Sequence, residues 1–164
     1  MTYRIYHFSN MYLSSIQQGI QSAHAQTEMF LKYSSDELIN NLNNIDENIA
    51  EMFWEWASEH KTIICLNGGM DINLREIKQL MSQPENPYPW SYFNEAKEAM
   101  NGMLTNVAIV LPSRIYDTAA DIRFRKYHFE DNTLVCTETG WGSEKFTYFE
   151  IQLIELLNSC SLAK

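Results

Sequence analysis

Residues 105–111, TNVAIVL, place the tightest restriction on what this chain can become. Apolar or β-branched at nearly every position, the run reads as a strand inside a sheet with both faces covered, because a strand with one wet face would alternate. Such a strand needs neighbouring strands and helices above and below. Residues 3–8 and 61–66 (KTIICL) read as two of those strands, the second ended by the turn signal Asn67-Gly68-Gly69. Pro84, Pro87 and Pro89 then hold the chain extended into a further strand, residues 90–94, and Asn101-Gly102 turns it back.

Three helices fall between these strands. Ile16, Ile20, Ala23, Thr27, Phe30 and Leu31 recur at helical spacing over residues 14–32, and this stripe is expected to face the sheet, with Gly19 and Ala23 permitting close approach. A second helix is expected to begin at Ser34, which with Glu37 has capping-box spacing, and to carry Leu38, Leu42, Ile45, Ile49, Met52, Phe53 and Trp56. Asp71 is expected to cap a third, bearing Leu74, Ile77, Leu80 and Met81. The fold class that follows is α/β, a mixed sheet of about four core strands with helices on both faces. After it, residues 122–129 and 133–139 flank Glu130-Asp131-Asn132 as a hairpin. Gly140-Trp141-Gly142 then precedes a helix capped by Ser143, with Phe146, Phe149, Leu153, Ile154 and Leu157 on its apolar side. The organisation expected is one domain, a core over residues 1–112 and a C-terminal extension over 113–164.

Charge and cysteine content narrow the setting. With 21 acidic against 12 basic residues the formal charge is -9, which repels polyanions and disfavours tRNA as a partner. No apolar run reaches the roughly 18 residues of a membrane span, and MTYRIYHFSN lacks an export-signal pattern. Cys65, Cys136 and Cys160 form no close pair, which fits a reducing compartment. A soluble cytoplasmic protein is expected. His7, His24, His60 and His128 show no metal-ligand spacing, so neither a metal nor a cofactor is expected.

Two constellations suggest binding chemistry. Arg114, Arg123 and Arg125 are three of five arginines, and on an extended strand Arg123, Arg125 and Tyr127 share a face, two guanidinium forks beside a ring. Read functionally they hold a phosphate and stack a base; read structurally they pair with Asp117, Asp121, Glu130 or Asp131. Asn67 and Gly68 at a strand end can present backbone amides to an anion or simply turn the chain. Glu47, Glu51, Glu55 and Glu59 recur every four residues, a solvated face or a surface for a basic partner.

The segment Ile16-Gln17-Gln18-Gly19-Ile20-Gln21-Ser22-Ala23-His24-Ala25 lies on the helix after the first strand and resembles the signature of the type 2 peptidyl-tRNA hydrolase family. That family reads approximately lysine, apolar, small, small, glutamine, small, small, histidine, alanine, and Gln21, Ser22, Ala23, His24 and Ala25 match. The element order fits over residues 3–112. The resemblance implies a mixed α/β sheet, hydrolysis of the peptidyl-tRNA ester, a homodimer, and a catalytic group at Gln17, Gln21, His24, Glu95 and Thr105. Gln17 stands where the family has lysine, and it supplies no positive charge. Glu95, in Phe93-Asn94-Glu95-Ala96, stands for an aspartate, Ala99 replaces a threonine, and a one-residue shift would put Asn106 where Thr105 is expected.

These departures and the acidic charge shape the functional expectation. The chain is read as a catalytically altered protein of that fold, binding a small, nucleotide-like ligand through Ser22, Asn67, Gly68, Arg114, Arg123, Arg125 and Tyr127, a role of the kind viral accessory factors fill. One alternative is an active hydrolase working through Glu95 and His24. The other is an interaction module using the acidic helix.

Overall fold

The computed structural model describes residues 1–33, 46–124, 126–140 and 142–163. The expected helix start at Ser34 and Glu37, with Leu38, Leu42 and Ile45, lies outside the described residues, as do Arg125 and Trp141. The chain divides into two compact units, Met1–Leu111 with Leu162–Lys164, and Pro112–Ser161.

The first unit runs β1 (Tyr3–Ser9), α1 (Ser15–Lys32), α2 (Glu47–Glu55), β2 (Thr62–Asn67), α3 (Asp71–Met81), β3 (Trp90–Asn94), the short α4 (Lys97–Met100) and β4 (Leu104–Pro112). The fold class is α/β with a mixed four-stranded sheet in the order β2-β1-β4-β3. β1 pairs parallel with β2, placing His7 opposite Cys65, and β3 pairs antiparallel with β4, placing Phe93 opposite Asn106 before a register shift at Asn94. All 9 residues of β4 are buried, as its continuous apolar run requires of an inner strand. One core cluster joins Ile5, Ala108 and Val110 of the sheet to Ala25, Met29 and Tyr33 and to Phe53 and Trp56. Elsewhere Phe8 of β1 and Leu74 of α3 both lie close against Gly68.

The stripe expected to bury α1 is on the wrong side. Ile16 is 77% exposed, Ile20 49% and Leu31 65%, while Gln18, Gln21, Ser22, Ala25 and Met29 face inward. Gly19 is exposed, with nothing within 4 Å of where a Cβ would stand, so it serves no close approach. The cause lies beneath the first half of the helix, where His7, Ser9 and Asn106 make the sheet polar and Gln18, Gln21 and Ser22 are polar in reply. Further on, Ala25 and Met29 meet Ile5, Ala108 and Val110. Gln18 Nε2 donates to Leu13 O (2.9 Å) and Ser22 Oγ to Gln18 O (2.8 Å), so the inward polar groups are satisfied.

Two helix starts also differ. Met70, not Asp71, is the N-cap of α3, with Asn73 Oδ1 accepting from its N–H (3.0 Å). Asp71 instead accepts from Arg75 Nε (2.6 Å) and from the Leu104 N–H (2.9 Å), which ties α3 to β4. Asp46 caps α2, and that helix passes into one π-helical turn, Trp56–His60, closed by Lys61 at φ 52°. Glu47, Glu51, Glu55 and Glu59 are all exposed along it.

The second unit holds α5 (Ser113–Arg123), β5 (Tyr127–Glu130), β6 (Thr133–Cys136), β7 (Gly142–Lys145) and α6 (Tyr148–Ser159), its strands forming an antiparallel sheet in the order β5-β6-β7. The hairpin turns at Asp131 and Asn132, with φ of 47° and 61°, the left-handed pair that a two-residue turn favours. Residues 122 and 123, expected in a strand, end α5 instead, which buries Ile115, Tyr116, Thr118 and Ala119. Ser143 lies within β7, and α6 is capped by Thr147, whose Oγ1 accepts from the Glu150 N–H (3.2 Å) while Glu150 Oε2 accepts from the Thr147 N–H (2.8 Å). Phe146 therefore precedes the helix, and Phe149, Leu153, Ile154 and Leu157 form its buried side.

Gly68 marks the tightest packing in the first unit. A Cβ there would meet Leu74 Cδ2 at 2.5 Å and the Phe8 backbone at 3.0 Å. Gly68→Ala is expected to lower stability by about 1–3 kcal/mol in chemical denaturation, through overpacking. Gly19→Ala, in the open on a helix, is expected to raise it by roughly 0.5–1 kcal/mol.

Candidate functional site

The site begins with Asn106, at 0% exposure on β4 beneath α1. Its Nδ2 donates to Ser9 Oγ (2.9 Å) and Ser22 Oγ (3.1 Å), so its Oδ1 is the acceptor facing His7, whose Nδ1–H donates at 2.9 Å. The proton on Nδ1 leaves His7 Nε2 bare, fully buried and without a partner among the described residues. Charging that ring would bury an ammonium-like proton with nothing to accept it. Burial accordingly pulls the His7 pKa down to about 4, and the bond to Asn106 offsets only part of the shift. Ser22 Oγ also lies 3.9 Å from Cys65 Sγ, which brings β2 to the same layer.

One residue before Ser22, on the same buried helix face, Gln21 reaches the β3 end of the sheet. Its Nε2 donates to Glu95 Oε2 (2.8 Å), and its Oε1 accepts from Thr105 Oγ1 (2.9 Å), which also lies 3.2 Å from Phe93 O. Glu95 Oε1 accepts from the Ala96 N–H (3.1 Å). Residues 74 and 84 positions from Gln21 in the chain thus hold its amide in one orientation. His24, one turn along α1, is exposed and stacks on Phe93 with ring centroids 4.5 Å apart and planes 14° from parallel. Gln21, Glu95 and Thr105 are thus joined directly, with Ser22 and His24 beside them on the middle turns of α1.

The other expected site residues are elsewhere. Gln17 Oε1 accepts from the Ser14 N–H (3.0 Å) and Ser14 Oγ accepts from the Gln17 N–H (3.3 Å), so it caps its own helix. Asn67 Oδ1 accepts from the Gly69 N–H (2.9 Å), and the Gly68 N–H donates to Ser9 O (2.8 Å). Those amides are spent on the turn, and no anion cradle forms there. Arg123 is not on a strand beside Tyr127. It ends α5, and its Nη2 donates to Leu157 O (3.1 Å) and its Nε to Asn158 Oδ1 (3.2 Å), serving the end of α6, which has no basic residue in its last turn. Arg114 Nε donates to Glu144 Oε1 (2.8 Å) and its Nη1 to the buried Glu150 carboxylate, with its guanidinium over the Phe146 ring. Tyr127 is half-buried on β5, and Arg125 lies outside the described residues.

A groove missed by the sequence reading continues from Phe93 along β3. Glu28, Lys32, Ser91, Tyr92, Phe93 and Asn94 line about 410 Å³ of space. Lys32 Nζ donates to Trp90 O (3.1 Å) and stands 4.5 Å from the Trp90 ring, and its burial lowers its pKa to about 8. Lys32 follows Glu28 by four residues, an ordinary surface-pair spacing, so nothing in the sequence marked it for partial burial. Among the described residues no group of three or more His, Cys, Asp or Glu side chains is placed to hold a metal ion, and no described helix is long and apolar enough to cross a membrane.

No protein-family model matches the chain, and no curated protein matches it significantly. What the site can do is therefore argued from its own groups. Both oxygens of Glu95 already accept N–H bonds, and none of the ion pairs formed among the described residues involves it. The arrangement presents a fixed hydrogen-bonding edge beside a stacked ring.

His7 makes stability pH-dependent. Its folded pKa of about 4 lies below the ordinary 6.5, so the unfolded chain takes up the proton first as pH falls. The stabilisation is complete above about pH 6.5 and is lost progressively toward pH 4, by roughly 3 kcal/mol at most from this group. Denaturant melts of His7→Gln, which cannot titrate, are expected to show a flatter pH dependence across that window than the natural chain.

Proposed function

We propose that the first unit is a binding module of the type 2 peptidyl-tRNA hydrolase kind that takes a small, nucleotide-like ligand by its base and does not hydrolyse an ester. The half-buried Glu95 carboxylate, held by Gln21 and through it by the buried Thr105, supplies the hydrogen-bonding edge, and the outer face of the exposed His24 ring, backed by Phe93, supplies the stacking platform. The observation that carries this reading is the Thr105–Gln21–Glu95 chain of hydrogen bonds, which fixes an amide and a carboxylate beside that platform.

Three features favour binding over hydrolysis. Glu95 is engaged at both oxygens, where a general base needs reach to a water or hydroxyl proton. Gln17 brings no ammonium, and its side chain is occupied at the helix cap. The charge of -9 opposes the phosphate contacts that hold a tRNA backbone. Arg114 and Arg123 are committed to the second unit's own carboxylate and carbonyl groups, so the base rather than the phosphates is the part recognised.

Isothermal titration of the chain with adenosine, guanosine, cytidine and uridine tests this directly. At least one nucleoside is expected to bind, with His24→Ala weakening it about five- to a hundredfold, the range of one base–aromatic stack. An N-acetylaminoacyl-tRNA is expected to remain intact. Turnover that Glu95→Gln abolishes would favour the active hydrolase instead. Absence of nucleoside binding, with capture of a basic partner through Glu51 and Glu55, would favour the interaction module.

A further inference from the structure

The four-stranded sheet has two edges, and the chain treats them differently. At β2, Leu162 forms an antiparallel bridge with Leu66, and the Ala163 N–H donates to Cys65 O (3.0 Å), so a short stretch of the same chain lies along that edge. At β3, among the described residues, the edge is closed at one end only. Trp90 turns both backbone groups away from β4, its N–H donating to Tyr33 Oη (3.0 Å) and its carbonyl accepting from Tyr33 Oη (3.2 Å) and Lys32 Nζ (3.1 Å). Tyr33 and Lys32 thus occupy the place that a neighbouring strand would take.

Two residues on, Tyr92 faces the same way, because outward and inward backbone pairs alternate along an antiparallel strand. Its N–H and carbonyl face the groove of about 410 Å³, whose other wall is the Glu28 and Lys32 side of α1. The groove is within the size range of small-ligand and peptide sites and lies between a strand edge and a helix, the setting in which extended peptides are captured by strand addition. Direction follows from the closed end. β3 runs from Trp90 to Asn94, so a strand added antiparallel arrives at Trp90 with its C-terminus leading. Tyr33 stops it there, and its last carboxylate comes to rest beside Lys32 Nζ. A parallel strand would bring an N-terminal ammonium to the same amine, and like charges would oppose it.

We propose that the open edge of β3 and the facing side of α1 receive the C-terminal residues of a partner polypeptide as an added antiparallel strand, with the terminal carboxylate held by Lys32. Tyr92 supplies the two main-chain hydrogen bonds and Lys32 the charge. The partner is recognised by its extended backbone and free carboxylate, whatever its side chains. Lys32 is short of solvent, and among the described residues a carbonyl and two ring faces stand about its ammonium, so an incoming carboxylate would replace the hydration that burial removed. This inference does not depend on the proposed nucleoside site, since neither Gln21, Glu95 nor Thr105 takes part.

Immobilised full chain, exposed to an equimolar synthetic pool of random pentapeptides, half free acids and half C-terminal carboxamides, provides the test, with the retained peptides counted by mass spectrometry. Free acids are expected to be retained at least tenfold over carboxamides, and Lys32→Met is expected to bring that ratio to near one. Tyr92→Pro, which removes the outward N–H at an edge position that tolerates proline, is expected to reduce retention of both halves severalfold. Should that variant fail to fold, a pool with N-methylated backbone amides gives the same reading on the natural chain. Nucleoside titration of Lys32→Met, expected to match the natural chain, separates this result from the fate of the other site. Equal retention of acids and carboxamides, retention of neither, or an acid preference that survives Lys32→Met would overturn the proposal.

Discussion

Asn106 decides which side of α1 meets the sheet. It sits where an apolar residue would continue the run of β4, and its carboxamide is fully buried, with His7 and Ser9 on the adjoining strand and Ser22 on the helix satisfying it. His7 and Ser9 bond it within the sheet, so an apolar helix face laid over it would orphan the Nδ2–H that Ser22 accepts, at about 1–3 kcal/mol. The helix therefore turns Gln18, Gln21 and Ser22 inward, and Ile16, Ile20 and Leu31 remain in solvent.

The candidate site inherits its geometry from that choice. Ser22 bonded to Asn106 brings Gln21, its neighbour, to the side of α1 nearest β3, within reach of Thr105 and Glu95. His24 then comes to lie against Phe93, and the remaining turns of the helix carry Glu28 and Lys32 to the far end of β3. A polar anchor in the sheet, a bonded amide and a charged groove are successive stations along one helix. The buried imidazole of His7 is part of the cost, since Nε2 has no partner among the described residues.

Much of this was legible in the sequence, and the failures share a cause. The inner strand β4, the β5–β6 hairpin turn and the buried side of α6 follow from continuous apolar runs, turn residues and period, which depend on local chemistry alone. Gln21, Glu95 and Thr105 were singled out together through the family resemblance, and they do meet. The face of α1 could not be read from its own period, because apolarity marks the inward side only where the opposing surface is apolar. The interruption of TNVAIVL by Asn106, and His7 and Ser9 alternating along β1, were the available signs. Arg114, Asp117, Asp121 and Arg123 dilute the apolar period of α5, so its sequence does not announce a helix, and Arg123 serves the carbonyl groups at the end of α6 rather than a phosphate. Lys32 owes its environment to Trp90, 58 positions away, and no local pattern encodes that.

The bond between the sheet's carboxamide and the helix hydroxyl orients α1, and a double-mutant cycle measures it alone. Chemical denaturation of Ser22→Ala, Asn106→Ala and the double variant should give a coupling of roughly 0.5–3 kcal/mol, the range for residues that share a buried hydrogen bond. Losses that simply add would mean that the two side chains do not meet and that the helix presents another face to the sheet.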